Sequence, residues 1–351
     1  MVLFSFKVGA STMVLMPLSS LGAMRESGSW TRLGEGIDRL VTIEFRPGRD
    51  SVPPGLVAPL YQVCRLWEGA PLSTSAAEII LKHARSQPVL IVTGAGTAPI
   101  LPEGETDGPP GAVALMQAVR EAVDAHPIVV TEQAHARAVS EGLATAGINE
   151  DSLRLFPRVS REESVWAAER LIADTTPAVI VFIERDGANK EGRYHGVRGN
   201  CRPAGSVAGL DALVDVGSAK GVPVIAIGDG GNEVGFGAMR EEVQAIFPDG
   251  AVCQDGCASG RITSVCADIA VSAGISNWGA YGVSAAIAAA TGTHTALIDP
   301  DMGTGLIDAC LRGGALDGAL GQATRSVDGV GVETNRAILV LLHELVRMSQ
   351  L

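Results

Sequence analysis

A glycine-rich stretch brings together three side chains that are suited to binding a metal ion. The segment at 225–242, IAIGDGGNEVGFGAMREE, holds five glycines around Asp229, Asn232 and Glu233. Carboxylate and amide oxygens are the ligands that Mg²⁺, Mn²⁺ and Ca²⁺ prefer, and glycines permit the tight turns that bring such groups together. The stretch therefore favours a metal site. The alternative is a capped helix that begins near Asn232, with Asp229 at its N-terminus.

Nucleotide binding fits the glycine-rich loops of this chain poorly. The segment GDGGNE begins with G-x-G but has Glu233 at its sixth position, where the charge would repel a pyrophosphate held at a helix N-terminus. The loop GAGTAP has Pro99 where the third small residue of that motif should stand. A phosphate-binding G-x-x-x-x-G-K-[ST] motif is absent from the sequence. We therefore expect no nucleotide cofactor.

Short apolar runs alternate with helical patterns from Asp38 onward. The runs are Pro88–Gly94, Pro127–Glu132, Ala178–Glu184, Pro223–Gly228 and Asp268–Gly274, with Thr293–Asp299 as a candidate sixth strand. Helical patterns occupy 75–86, 111–125, 132–147, 163–174, 209–221 and 333–349. Strands that are apolar on both faces are typical of a buried parallel sheet. The sequence predicts an α/β fold: a mostly parallel sheet covered by helices on both faces.

Polar side chains follow the ends of these predicted strands. They are Glu105 and Asp107 after the first, Glu184 and Arg185 at the end of the third, Asp229 after the fourth, and Ser276 and Asn277 after the fifth. Because ligands bind at the carboxyl ends of parallel strands, we expect the site there. Glu184 ends the strand next to Asp229, which favours the metal site over the helix cap.

The loop GRYHGVRG offers groups for proton transfer and for carboxylate binding. His195 is suited to acid–base chemistry, or is simply an exposed loop histidine. Arg198, with Arg185 earlier in the chain, is suited to a bidentate contact with a substrate carboxylate, or neutralises the acidic site. No Ser-His-Asp order or G-x-S-x-G motif is present.

The six cysteines are expected to be reduced and mostly buried. Cys253, Cys257 and Cys266 lie close in the sequence and raise zinc as an alternative. Structural zinc usually needs a second Cys or His pair, and no histidine lies near these cysteines in the sequence. Buried thiols in a reducing compartment are the favoured interpretation.

Composition limits the classes of partner. The 351 residues are 46% hydrophobic and 19% charged, which is typical of a well-buried enzyme, and the net charge of −12 disfavours nucleic acid. Residues 1–34 contain no acidic residue before Glu26 and are too interrupted for a membrane span. We expect residues 1–34 to be an extension, either a transit segment or a stretch upstream of the true start, and 35–351 to be the catalytic domain. We expect a cytoplasmic protein, or a mitochondrial one if a transit segment operates in a eukaryote; a homo-oligomer is compatible with this composition.

Several motifs together resemble the D-glutamate cyclase-like C-terminal domain family. They are Glu105–Ala112, Ile183–Gly199, Ile227–Gly237, Ala273–Gly282 and Gly314–Glu333, which occur in the order of the family. The resemblance covers the chain from about Asp38 to its C-terminus. Asp186 and Val197 depart from the Pro and Met of the family form. The resemblance implies a hydro-lyase that closes D-glutamate, or a related acidic amino acid, to 5-oxo-D-proline with a divalent metal: Mn²⁺, or else Mg²⁺ or Ca²⁺.

The chemistry of ring closure suggests roles for the candidate residues. A metal would neutralise the γ-carboxylate that the amine attacks, an acid and a base would move protons, and a donor would stabilise the oxyanion. We assign the metal to Glu184, Asp229, Asn232 and Glu233, catalysis to Asp107, His195 and Asn277, and substrate binding to Glu105, Arg185, Tyr194, Arg198 and Ser276. Two other functions use the same acidic residues: a metal-dependent phosphohydrolase or sugar-phosphate enzyme, and a non-catalytic sensor of a metal or an amino acid.

Overall fold

The computed structural model describes residues 28–45, 54–247, 250–253 and 255–350. The predicted extension falls mainly on residues 1–27, which lie outside the described residues. The first described helix, Ser29–Val41, buries Trp30 and Leu33 and crosses the boundary placed at residue 34. That boundary stays a prediction.

A six-stranded parallel sheet forms the centre of the fold. The strands are β1 Pro88–Thr93, β2 His126–Glu132, β3 Leu153–Phe156, β4 Val179–Ile183, β5 Val224–Gly228 and β6 Ile269–Ser272, in the spatial order β3-β2-β1-β4-β5-β6. A small antiparallel pair, β7 Ser326–Val327 and β8 Val330–Gly331, lies outside this sheet. The five predicted strands are therefore confirmed, and so is the parallel α/β class. The candidate strand at 293–299 is wrong, because this segment contains a short 3-10 helix, His294–Ala296.

Helices cover both faces of the sheet, as predicted. They are α1 Ser29–Val41, α2 Val57–Glu68, α3 Leu72–His83, α4 Pro109–Val123, α5 Ala136–Thr145, α6 Arg161–Thr175, α7 Ala212–Ala219, α8 Arg240–Ile246, α9 Ser276–Thr291, α10 Pro300–Arg312 and α11 Val332–Ser349. Alternate residues of β1 show the two layers. Val89 and Ile91 belong to the core built with α3, α4 and α9, whereas Leu90 and Val92 belong to the core built with α6 and α7. None of the described helices is long and apolar enough to cross a membrane.

The order of the strands places a crevice between β1 and β4. The chain proceeds outward from β1 to β2 and β3 on one side, and from β4 to β5 and β6 on the other. The loops that follow β1 and β4 therefore diverge at the carboxyl end of the sheet, and such a point is where open α/β sheets bind ligands. Asp107 lies in the first of these loops and Glu184 in the second.

Candidate active site

A cavity of about 380 Å³ opens at the carboxyl ends of the strands. Its volume suits a small molecule. Apolar side chains such as Ile100, Leu101 and Leu320 line one part of it. The charged and amide side chains of its wall are Glu105, Glu184, Arg198, Asn200, Arg202, Asp229, Asn232 and Asp328. The cavity therefore offers both signs of charge to a zwitterionic ligand.

Three carboxylates from distant parts of the chain meet beside this cavity. One oxygen each of Asp107, Glu184 and Asp229 lies within 4.8 Å of the other two, and all three side chains are buried. Ser276 Oγ donates a 2.5 Å hydrogen bond to Glu184. The pKa of Glu184 is raised well above its usual range, mainly by burial and to a smaller extent by the charges of Asp229 and Glu233. Such a concentration of buried negative charge is what a divalent cation would stabilise.

Asp107 also holds the start of α9. Its carboxylate accepts hydrogen bonds from the backbone N–H groups of Ser276, Asn277 and Gly108 at 2.9, 2.8 and 2.9 Å. Burial and the charge of Asp328 raise the pKa of Asp107 to about 7, although these N–H groups oppose the shift. Its position relative to α9 is that of a cap supplied from a distant loop.

Asn277 ties α9 to the loop that carries Asp107. Its Oδ1 accepts hydrogen bonds from the backbone N–H groups of Gly108 and Gly111 at 3.0 and 2.7 Å, and its Nδ2 donates to Thr106 O at 3.0 Å. Asn277 is buried and does not line the cavity. Asn277 is thus positioned to orient the loop that carries Asp107. An oxyanion donor would have to act at the cavity wall, which Asn277 does not line.

The loop after β5 is organised by Glu233. Its Oε1 accepts hydrogen bonds from the backbone N–H groups of Asp229 and Gly230 at 3.1 and 2.9 Å. Its Oε2 is buried and has no hydrogen-bond partner among the described residues. The next helical turn begins only at Gly237, and α8 begins at Arg240. The alternative of a helix that starts near Asn232 is therefore wrong.

Asn232 contributes an amide group to the same cavity wall as Glu184 and Asp229. Its Nδ2 donates to Asp186 Oδ1 at 3.1 Å and to the carbonyl oxygen of His195 at 3.2 Å. Within the described part of the chain its buried Oδ1 has no hydrogen-bond partner, and the residue lines the cavity beside Asp229. A neutral amide oxygen with no competing donor adds to the fit of this site for a hard divalent cation.

The two predicted arginines occupy different places. Arg198 lines the cavity, and its Nη2 donates to Ala319 O at 3.1 Å. Arg185 is buried away from the cavity wall. Its Nη1 lies 2.8 Å from Glu132 Oε1 and its guanidinium donates to two backbone carbonyls, those of Gly94 and Ala208. The structure therefore does not bring Arg185 to the cavity, and Arg185 serves to hold strand ends together.

Tyr194 and His195, the other two candidate residues of the GRYHGVRG loop, are not part of the group formed by Asp107, Glu184 and Asp229. Tyr194 donates a 2.6 Å hydrogen bond to Asp211 and does not line the cavity. His195 lies in a cluster with Cys201, Cys253 and Cys257, whose ligand atoms are all within 4.8 Å of one another. Cys266 is exposed and lies outside that cluster. The fold brings His195 to the cysteines from a segment 58 residues away from Cys253, a contact that the sequence around Cys253, Cys257 and Cys266 does not show.

Two charged residues of the cavity wall, Arg202 and Asp328, were missed by the sequence interpretation. Arg202 lines the cavity, and its Nε lies 3.0 Å from Asp186 Oδ2. Asp186 therefore holds the guanidinium group of Arg202 in position. Asp328 faces the cavity from the turn between β7 and β8 with a left-handed φ of 50°. The pKa of Glu105 is raised well above its usual range, mainly by burial and to a smaller extent by the charge of Asp328. The Asp-Gly pair at 328–329 was the available signal for that turn.

Comparison with known protein families assigns this chain to one family. The family model described as D-glutamate cyclase-like, C-terminal matches residues 61–343, and the chain belongs to this family. A relative of this chain is the human protein named mitochondrial D-glutamate cyclase. It is 34% identical over 225 residues, which make up 60% of this chain and 34% of the human protein. The chain thus matches about a third of the length of that relative.

Proposed function

We propose that this protein is a metal-dependent lyase that closes D-glutamate, or a related acidic amino acid, to 5-oxo-D-proline with loss of water. The observation that carries the proposal is the meeting of three buried carboxylates beside a cavity that also presents two arginines. Membership of the D-glutamate cyclase-like family and the name of the human relative supply the reaction. Neither the phosphohydrolase nor the sensor is favoured by a comparable observation.

We assign the metal to Glu184, Asp229 and Asp107, with Oδ1 of Asn232 as a further ligand. Glu233 supports the site by holding the backbone of Asp229. Oxygen ligands of this kind suit Mn²⁺ or Mg²⁺, and we expect Mn²⁺. When bound, the cation neutralises the substrate γ-carboxylate and polarises its carbon–oxygen bond.

Arg198 and Arg202 would bind the α-carboxylate of the substrate. Both line the cavity, and the planar guanidinium group forms paired hydrogen bonds with a carboxylate. The acidic side chains of Glu105 and Asp328 on the same wall would attract the substrate ammonium group. An acidic amino acid thereby has an oppositely charged contact for each of its ends.

Glu105 is the residue best placed to move protons. It lines the cavity, whereas Asp107 does not, and Asp107 is engaged with three backbone N–H groups. Ring closure forms the C–N bond and releases two protons from nitrogen, and the departing carboxyl oxygen takes both to leave as water. Glu105 would accept each proton at a carboxylate oxygen and return it to the leaving oxygen. Ser276 would orient Glu184 through its hydroxyl.

Product formation tests this proposal. Purified protein is incubated with Mn²⁺ and D-glutamate, and 5-oxoproline is measured by chiral mass spectrometry against a reaction without protein. We expect turnover of D-glutamate and little of L-glutamate. Asp229→Asn should lower the rate at least about 100-fold, because it weakens the metal site. The matched control Asp174→Asn changes an exposed carboxylate on α6 and should leave the rate unchanged.

Other outcomes would point to the alternative functions. Hydrolysis of p-nitrophenyl phosphate in place of 5-oxoproline formation would support the phosphohydrolase. Saturable binding of Mn²⁺ and D-glutamate without any product would support the sensor. Either outcome would contradict the lyase.

A further inference from the structure

A second cluster of ligand atoms lies close to the cavity and contains sulfur and nitrogen only. His195 Nε2 lies 3.1 Å from the Sγ of Cys201, 3.2 Å from that of Cys253 and 3.4 Å from that of Cys257. The Sγ atoms of Cys201 and Cys253 are 3.2 Å apart. All these cysteines are free, and a disulfide would need about 2.05 Å between sulfurs. The four atoms are thus mutual neighbours without a covalent bond.

We propose that His195, Cys201, Cys253 and Cys257 bind one structural zinc ion. Three cysteines and one histidine are an established ligand set for structural zinc, with Zn–S near 2.3 Å and Zn–N near 2.0–2.1 Å. Those bonds give a tetrahedron with edges of about 3.6–3.8 Å. The four distances given above need to lengthen by about 0.6 Å or less to reach these edges.

The fold prepares this cluster in two pairs. His195 and Cys201 face each other across a turn that is closed by a hydrogen bond from Gly196 N to Asn200 O. Cys253 and Cys257 form the second pair, and their C-x3-C spacing lies within the range of zinc ligands. The carboxylate of Asp255 accepts a 2.6 Å hydrogen bond from the backbone N–H of Cys201, which joins the two pairs.

Hydrogen-bond donors point at the sulfur atoms. Asn189 Nδ2 lies 3.3 Å from Cys257 Sγ, and the backbone N–H of Asp255 lies 3.3 Å from Cys253 Sγ. Donors of this kind stabilise negatively charged thiolates and are the usual surroundings of metal-bound sulfur. The cluster therefore has both the inner ligands and the outer partners of a zinc site.

This zinc ion would fix one wall of the cavity. The turn between His195 and Cys201 contributes Val197, Arg198 and Asn200 to that wall, and Asn232 donates a hydrogen bond to the carbonyl oxygen of His195. Sulfur and imidazole ligands select zinc, whereas the carboxylate site selects a harder cation. The chain would hold two metals of different chemistry, one for structure and one for the reaction.

Metal analysis of the full chain tests the proposal. The protein is produced with added zinc, purified in reductant without a metal-affinity step, and analysed by plasma mass spectrometry. We expect about one zinc per chain. Cys253→Ser and Cys257→Ser should lose it. The matched control Cys266→Ser removes an exposed cysteine outside the cluster and should keep it, as should Asp229→Asn.

A spectrum of the unaltered protein makes the test independent of whether the serine variants fold. Co²⁺ added to zinc-depleted protein in reductant should give sulfur-to-cobalt charge-transfer bands and the strong visible bands of a tetrahedral site, and zinc should abolish both. The proposal is overturned if the unaltered protein contains no zinc and shows no such bands. Wild-type zinc content in Cys253→Ser and Cys257→Ser would also overturn it, as would a Cys201–Cys253 disulfide in freshly isolated, zinc-free protein.

Discussion

Replacing Glu184 by glutamine should stabilise the protein in the absence of a divalent cation. A Glu184 oxygen lies within 4.8 Å of oxygens of both Asp107 and Asp229. At that distance an effective dielectric constant of about 20 gives at least about 3.5 kcal/mol of repulsion for each fully charged pair. Protonation relieves part of this repulsion, because burial and Asp229 raise the pKa of Glu184. Glutamine retains an oxygen that accepts from Ser276. We expect the free energy of unfolding to rise by about 1–3 kcal/mol.

The same substitution should remove the stabilisation that Mn²⁺ gives. Urea unfolding is measured for both proteins without added metal and with Mn²⁺. A ligand at 1,000 times its Kd stabilises the folded state by about 4.1 kcal/mol, which exceeds the gain expected from the substitution, so the wild type should become the more stable protein at such a concentration of Mn²⁺. The control Glu169→Gln changes an exposed residue of α6 and should behave as the wild type. A Glu184→Gln protein that is less stable without metal, or that gains as much from Mn²⁺ as the wild type, would refute the reasoning.

Three further predictions concern pH, the wall of the cavity and the support of Asp107. Without metal, the free energy of unfolding should fall as the pH rises above about 4.5, because the folded protein retains a proton on Glu184 that the unfolded chain releases near that pH. Urea unfolding at a series of pH values measures this slope, and Mn²⁺ should flatten it. Arg202→Lys should raise KM for D-glutamate about tenfold with little change in kcat, whereas exposed Arg170→Lys should change neither; an unchanged KM would contradict this. Asn277→Ala should lower the free energy of unfolding by about 2–4 kcal/mol in urea, because Gly111 N–H and the carbonyl of Thr106 lose their buried partner and Gly108 N–H keeps only Asp107.

The strands of the fold were predictable where a strand consists of a continuous run of apolar residues. Strands β1, β4 and β5 are buried along almost their whole length, so their Val and Ile runs were sufficient. Strand β3 was missed because it lies at the sheet edge with Arg154 and Leu155 exposed. The apolar run at 293–299 was wrongly predicted to be a strand. Its last residue, Asp299, accepts a hydrogen bond from the backbone N–H of Asp301 and caps α10, so the chain turns there.

The site was predictable as far as the backbone alone positions side chains. The carboxyl ends of neighbouring parallel strands converge, which correctly brought Glu184 and Asp229 together. Side-chain direction was not predictable, because it depends on packing partners far away in sequence. Arg185 turns toward Glu132 on another strand, and His195 turns toward Cys253, which is 58 residues away. Contacts between residues this far apart in the sequence cannot be inferred from the spacing of residues within a motif.

The most direct test of the account is the position of a bound cation. Crystals of the full chain grown with Mn²⁺, with diffraction recorded at the manganese absorption edge, locate the ion by its anomalous scattering. We predict one manganese peak within about 2.0–2.6 Å of oxygens from Asp107, Glu184 and Asp229. If crystals in saturating Mn²⁺ show no anomalous peak between these carboxylates, or show manganese bound only elsewhere, the proposed metal centre is contradicted.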